Sequence, residues 1–179
     1  MKNLLAQTIL VVLAVVSTVA QADSAAEIDR NADATLATFK RTVGGGEAYL
    51  EASKAALIFS SIVKGGFIFG GEYGEGALRV RGKTVEYWST SGASFGLQIG
   101  VQEKSMVLLF MQDSALEKFR NGSGFEVGVD GNIALIDAGA SATANTTNLK
   151  DPIVAFVFGN KGLMVDVSLN GSKFSTLDK

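Results

Sequence analysis

At Ala56 the apolar residues of this 179-residue chain change their spacing, and that change limits the folds open to it. Before it, Ile28, Ala32, Leu36, Phe39 and Val43 recur at steps of three and four, one apolar stripe of an amphipathic helix. Ser24-Ala25-Ala26-Glu27 reads as the capping box that opens this helix, and Gly44-Gly45-Gly46 as its stop. A second short helix is expected over about Glu47 to Ala55, with Ala48, Ala52 and Ala55 forming a small packing side. After Ala56 the period is two.

Ser94 to Gln102 alternates most clearly: Phe95, Leu97, Ile99 and Val101 against Ser94, Gly96, Gln98, Gly100 and Gln102. Leu163, Val165, Val167 and Leu169 alternate likewise, as do Phe125, Val127 and Val129, and Leu78 and Val80 against Arg79 and Arg81. Met106 to Met111, Ile133 to Ile136 and Ile153 to Phe158 are continuous apolar runs, the pattern of strands buried on both faces. Ser114-Ala115-Leu116-Glu117 predicts one helix inserted among the strands, with Leu116 and Phe119 facing inward and Gly122 ending it. Gly139 to Lys150, rich in Ser, Thr, Asn and Ala, reads as an exposed loop that Asp151-Pro152 closes before the next strand. The expected fold is α+β: a curved, mostly antiparallel and partly closed β-sheet, with two N-terminal helices and one inserted helix.

Residues 1–22 stand apart. Lys2 precedes an apolar run from Leu4 to Val19, and Ala20-Gln21-Ala22 places small residues where a signal peptidase cuts. The run is shorter than the roughly 20 residues of a spanning helix, so it reads as a signal peptide cleaved after Ala22. Residues 23–179 would then form one domain, periplasmic or secreted. Without cysteine the chain has no disulfide and no acylation site, and without histidine it lacks the base of Ser-His-Asp and Cys-His systems and most zinc sites. No cofactor or metal is expected. Dropping Lys2 leaves 15 basic against 18 acidic residues, a balance that argues against nucleic acid.

The motif-like stretches mostly read as structure. Gly76 to Lys83 resembles a phosphate-binding loop but has five residues between its glycines where that loop has four, and it alternates like a strand. Asp130-Gly131-Asn132 lacks the later ligands of a calcium loop and reads as a turn. Glycines recur at steps of four: Gly66, Gly70 and Gly74; Gly92, Gly96 and Gly100; Gly124 and Gly128. On strands such a step keeps them on one face, either to let the sheet curl or to open a slot for a helix or a lipid chain. Glu72 and Glu75, in Gly70-Gly71-Glu72-Tyr73-Gly74-Glu75-Gly76, could form a hydrolase's carboxylate pair if a turn brought them together. On a strand they point to opposite faces, and the plainer reading is a structural carboxylate accepting backbone amides in a tight glycine turn.

Lys54-Ala-Ala-Leu-Ile-Phe59, Val63-Lys64-Gly-Gly-Phe67 and Gly70-Gly-Glu-Tyr-Gly-Glu-Gly-Ala-Leu78 together resemble the signature of the SYLF-domain family, whose members include yeast and animal membrane-trafficking proteins and many bacterial secreted proteins. Ser94 to Gln102, Phe110-Met111, Ala115-Leu116 and Lys161-Gly162-Leu163-Met164 follow in a similar order, so the resemblance runs over about residues 27–178. It implies a non-catalytic phospholipid-binding module, here of a bacterial cell envelope, with actin excluded by the compartment. The site it suggests comprises Lys64, Phe67, Phe69, Gly70, Gly71, Glu72, Tyr73, Gly74, Glu75, Gly76 and Arg79, with Lys64 or Arg79 near the phosphate. The chain departs from the family where Ser60-Ser61 follows Phe59 in place of a proline. Its first helix is also not basic, since Glu27, Asp29 and Asp33 offset Arg30, Lys40 and Arg41. Phosphoinositide specificity is therefore not expected. The alternatives are a hydrolase using Glu72 and Glu75, or an envelope protein binding another protein through Gln98 and Gln102.

Overall fold

The computed structural model describes residues 23–66, 69–95, 102–122, 124–136, 150–159, 162–163 and 168–179. The expected signal peptide, Phe67, the middle of the Ser94–Gln102 segment, the 139–149 loop and the 164–167 stretch lie outside them, and so does the side chain of Phe69.

Two helices come first, α1 (Ala25–Thr42) and α2 (Gly46–Ala52). The Ser24 hydroxyl accepts the Glu27 amide at 3.3 Å, the cap expected from the sequence, and Lys40 and Arg41 sit in the last turn, where they oppose the helix dipole. Ile28, Ala32, Phe39 and the C-cap residue Val43 are buried as their spacing required, with Thr35 buried beside them. The second helix differs from its expectation. It ends at Ala52, Ala48 and Ala52 are exposed, and its buried residues are Gly46 and Tyr49. Ala55 already belongs to the first strand.

The strands are β1 (Ala55–Gly66), β2 (Phe69–Val80), β3 (Lys83–Phe95), β4 (Gln102–Phe110), β5 (Phe125–Glu126), β6 (Ala134–Leu135), β7 (Ile153–Gly159), β8 (Gly162–Leu163) and β9 (Lys173–Leu177), with α3 (Asp113–Arg120) between β4 and β5. They form one sheet in the order β5-β9-β3-β2-β1-β4-β7-β6, with β8 on β7. Every pairing is antiparallel except β6 with β7. This is the expected α+β architecture. Of the Ser94–Gln102 segment, the first two residues end β3 and the last opens β4, with β2 and β1 between those strands, and residues 96–101 lie outside the described residues. Val129 is likewise not a strand residue but sits 75% exposed in a turn, which Asp130 closes by accepting the Glu126 amide at 2.8 Å.

Alternation along β1 divides the core in two. Leu57, Phe59 and Ile62 face one side, with Trp88, Leu108, Phe110 and Phe174; Ala56 and Ile58 face the other, with Val107, Phe156 and the buried stripe of α1. A bulge between Phe59 and Ile62 keeps both alternations in phase. The α3 helix closes the first side. Its N-cap is Gln112 rather than Ser114, because Asp113 and Ser114 already lie inside its first turn. It places Phe119 with its ring centroid 4.6 Å from that of Trp88 and 5.0 Å from those of Phe110 and Phe125.

The glycine series resolves where it can be seen. A Cβ on Gly74 would lie 2.7 Å from the Ser61 carbonyl oxygen, and one on Gly76 would lie 2.5 Å from that of Ile58. What needs the room is the neighbouring strand itself, so these glycines serve the curl of the sheet rather than a ligand slot. Gly124 and Gly128, at φ of 154° and 91°, mark turn geometry rather than a strand face.

Gly76→Ala should therefore destabilise the domain by about 2 kcal/mol or more, as over-packing against a backbone that cannot yield does. Gly65→Ala, where an added Cβ meets nothing within 4 Å, should stay within about 0.5 kcal/mol. Urea unfolding of the two variants checks the contrast.

Candidate functional site

The sequence places two acids, Asp29 and Asp33, on the first half of α1, and both face the end of the sheet where β2 turns into β3. Asp29 accepts the Thr84 hydroxyl at 2.7 Å and the Tyr87 hydroxyl at 3.0 Å, and its backbone carbonyl accepts Arg79 at 3.0 Å. Asp33 closes the ion pair with Arg79. Burial, followed by the hydrogen bond to Asp29 and the charge of Asp29, raises the Tyr87 phenol above its ordinary pKa, while Arg79 opposes them. This polar clamp pins α1 across β2 and β3.

Beside the clamp opens a recess of about 230 Å³ with Leu36 and Leu50 as its apolar part. Four cations line it: Lys40, Lys54, Arg79 and Arg81. Lys40 pairs with Glu47 at 3.3 Å, whereas Lys54 and Arg81 have no carboxylate partner among the described residues. The Arg79 Nε is buried without a hydrogen-bond acceptor. Arg81 is held there by the hairpin. It and Gly82 form the two-residue turn, with φ of 52° and 77°, the pair of positive angles that the twist of a tight hairpin demands. Reading Arg81 as a strand residue opposite Val80 missed this. The signal for it lay in Arg81-Gly82 itself, a glycine two residues after the last apolar strand position.

The residues expected to form one site do not all meet. Arg79 pairs with Ala56 and faces α1; Lys64 pairs with Glu72, eight residues farther along β1 and on the other side of the sheet. Roughly 26 Å of strand separates the two cations. Gly70 and Gly71 pair with Gly66 and Gly65 at the far end of the hairpin, and Gly74 and Gly76 are filled by β1.

Glu72 and Glu75 lie on a strand, not in a turn, and on opposite faces. The Glu72 carboxylate accepts Lys104 Nζ at 2.7 Å, with both side chains 11% exposed. Glu75 accepts Lys179 Nζ at 2.7 Å and the Tyr73 hydroxyl at 2.9 Å. Each carboxylate is thus closed by a lysine rather than by backbone amides, and the two cannot share a substrate. Among the described residues no cluster of three or more acids could hold a metal.

Desolvation, then the hydrogen bond to Glu75 and its negative charge, push the Tyr73 phenol up to about 12. A raised phenol pKa means the folded state holds the neutral hydroxyl, so this contribution to stability is complete below about pH 10 and lost as pH rises through about 12. Absorbance titration of the tyrosines should show one phenol ionising near 12. Tyr73→Phe should remove that step, and Glu75→Gln should move it down toward 10.

The family described as "Ysc84: Las17-binding protein actin regulator" matches residues 91–179. The human SH3 domain-containing YSC84-like protein 1 is 27% identical over 134 residues, and the rat protein of that name is 26% identical over 134. Each alignment takes in 70% of this chain but only 38% of the relative, so the chain spans under two fifths of the curated relatives it matches. The family's description names a binding and regulatory protein, and the relatives' names give no enzymatic activity. With residues 91–179 under the family's own description and weaker similarity to the YSC84-like proteins over 70% of its length, the chain belongs to the Ysc84 family of SYLF-domain proteins.

Proposed function

We propose that residues 23–179 act as a non-catalytic binder of anionic phospholipid surfaces in a bacterial cell envelope, delivered there by the N-terminal leader. The observation that carries this reading is the recess beside α1, in which two uncompensated cations, Lys54 and Arg81, flank Arg79 above the apolar Leu36 and Leu50. Cations around an apolar floor suit a phosphate headgroup with its glycerol and first acyl carbons. A patch of this kind also concentrates anions although the whole chain is slightly acidic, because screening in salt cuts the field of distant carboxylates within about 10 Å. Among the described residues no helix is long and apolar enough to cross a membrane. The family's description speaks of actin regulation; a chain delivered to the envelope would meet lipid and not actin, and lipid is the partner proposed.

The test compares vesicles of phosphatidylcholine with vesicles containing phosphatidylglycerol, by co-sedimentation. The protein should bind the anionic vesicles, and less so at high salt. Each basic residue at an anionic surface contributes about 1 kcal/mol, so Lys54→Ala with Arg81→Gly should weaken binding by roughly tenfold or more. Arg81→Gly also relieves a positive φ that glycine adopts freely, so the loss should come without loss of stability. Lys64→Ala, on the other face, should leave binding unchanged. Equal binding to both vesicle types would sink the reading.

A further inference from the structure

The opposite flank of α1 carries a second and larger opening, about 560 Å³, between the C-terminal half of the helix, the middle of β1 and the ends of β4 and β7. Its helix wall is a row of hydroxyls, Thr35, Thr38 and Thr42, spaced so that all three project from one side. Its sheet wall presents Ser60 and Ser105. Ser60 is the residue skipped in both ladders of β1 at the bulge, and its carbonyl is held by the Ser105 hydroxyl at 2.6 Å. The bulge thus takes a serine out of the sheet's pairing and turns it toward the helix. Beneath lies Phe158, almost fully buried.

Three charged residues line the same groove, Arg41, Glu103 and Lys104; Lys104 is already closed by Glu72 at 2.7 Å, which leaves Arg41 and Glu103. They form no ion pair with each other, and Glu103 has no hydrogen-bond partner among the described residues, while Arg41 reaches only Thr38 Oγ1 at 3.5 Å. A groove whose two charges outside ion pairs cancel, and whose hydroxyls both donate and accept, offers little to an anion or a cation. It matches a ligand built the same way. The carboxylate can accept two vicinal hydroxyls, the guanidinium can donate to ring or glycosidic oxygens, and the serine and threonine rows can do either. The volume lies within the roughly 300–1,000 Å³ of small-molecule sites.

We propose that this groove binds a neutral polyhydroxylated ligand of the saccharide class, independently of the cationic recess on the other flank of α1. Saturation-transfer NMR on the purified protein, with glucose, galactose, mannose and N-acetylglucosamine as probes, tests it. At least one sugar should show transfer. Thr38→Val, isosteric but without the hydroxyl, should raise its Kd roughly three- to tenfold with the melting temperature unchanged, the effect expected of one neutral hydrogen bond. Glu103→Gln, at an exposed position that folding does not need, should do the same and keeps the test open if Thr38→Val folds poorly. Absence of transfer from all four sugars, transfer that both variants leave intact, or tighter binding of inorganic phosphate or glycine betaine than of any sugar would overturn the proposal.

Discussion

The fold depends on three adjacent strands being buried on both faces. In β1, β4 and β7 the residues Ala55–Phe59, Met106–Phe110 and Ile153–Phe158 are all buried, odd and even positions alike. A strand in that situation cannot slip by one residue without exchanging the contents of two cores. Its register is therefore set twice, and everything outside the central strands takes its place from them. The first α-helix covers one side; α3, with Phe119 against Trp88, Phe110, Phe125 and Phe174, fills the other. The glycines of β2 complete the arrangement by letting it approach β1 where a side chain would collide, so that the sheet curls around the α3 side.

On the α1 side the helix acts as a divider. Apolar burial through Ile28, Ala32 and Phe39 holds its middle to the sheet, and Asp29 and Asp33 lock its first half to Arg79, Thr84 and Tyr87. Its two remaining flanks are left open and differ in chemistry. One meets the β2–β3 turn and is cationic; the other meets the bulge of β1 and is lined with hydroxyls. The difference follows from what the sheet offers on each side: arginines beside a hairpin turn, serines beside a bulge.

Polar pairs close to the strand ends serve as joints in this scheme. Lys104 and Glu72 are both nearly buried, and removing either would leave the other as an unpaired buried charge, so the pair holds β2 to β4 across β1 more by the cost of breaking it than by any net gain in forming it. Glu86 does a similar task at the other end, accepting from Trp88 Nε1 at 3.0 Å and from Arg120 of α3.

Much of this was legible in the chain. Runs such as Met106–Met111 and Ile153–Phe158 announce strands with no solvent face, the stripe of α1 announces its buried side, and Leu116 and Phe119 announce that of α3, because periodicity reports burial directly. Glu72 and Glu75, three apart on an alternating segment, were already destined for opposite faces. The site was less legible. Lys64 and Arg79 share one hairpin in sequence, yet register puts them on opposite faces and at opposite ends. Lys54, Arg81 and Lys40 lie far enough apart in the chain to carry no joint signal, and only the docking of α1 across the hairpin gathers them. The bulge at Ser60 is a similar case: two serines after Phe59 mark a departure, but the direction in which they turn is decided by partners in β2 and β4. Local sequence determined which residues are buried and which elements they form, since burial pattern and helix period are properties of a single segment. Tertiary structure alone decided which polar residues meet, since that depends on strand order, register and the placement of one helix, none of which any segment encodes by itself.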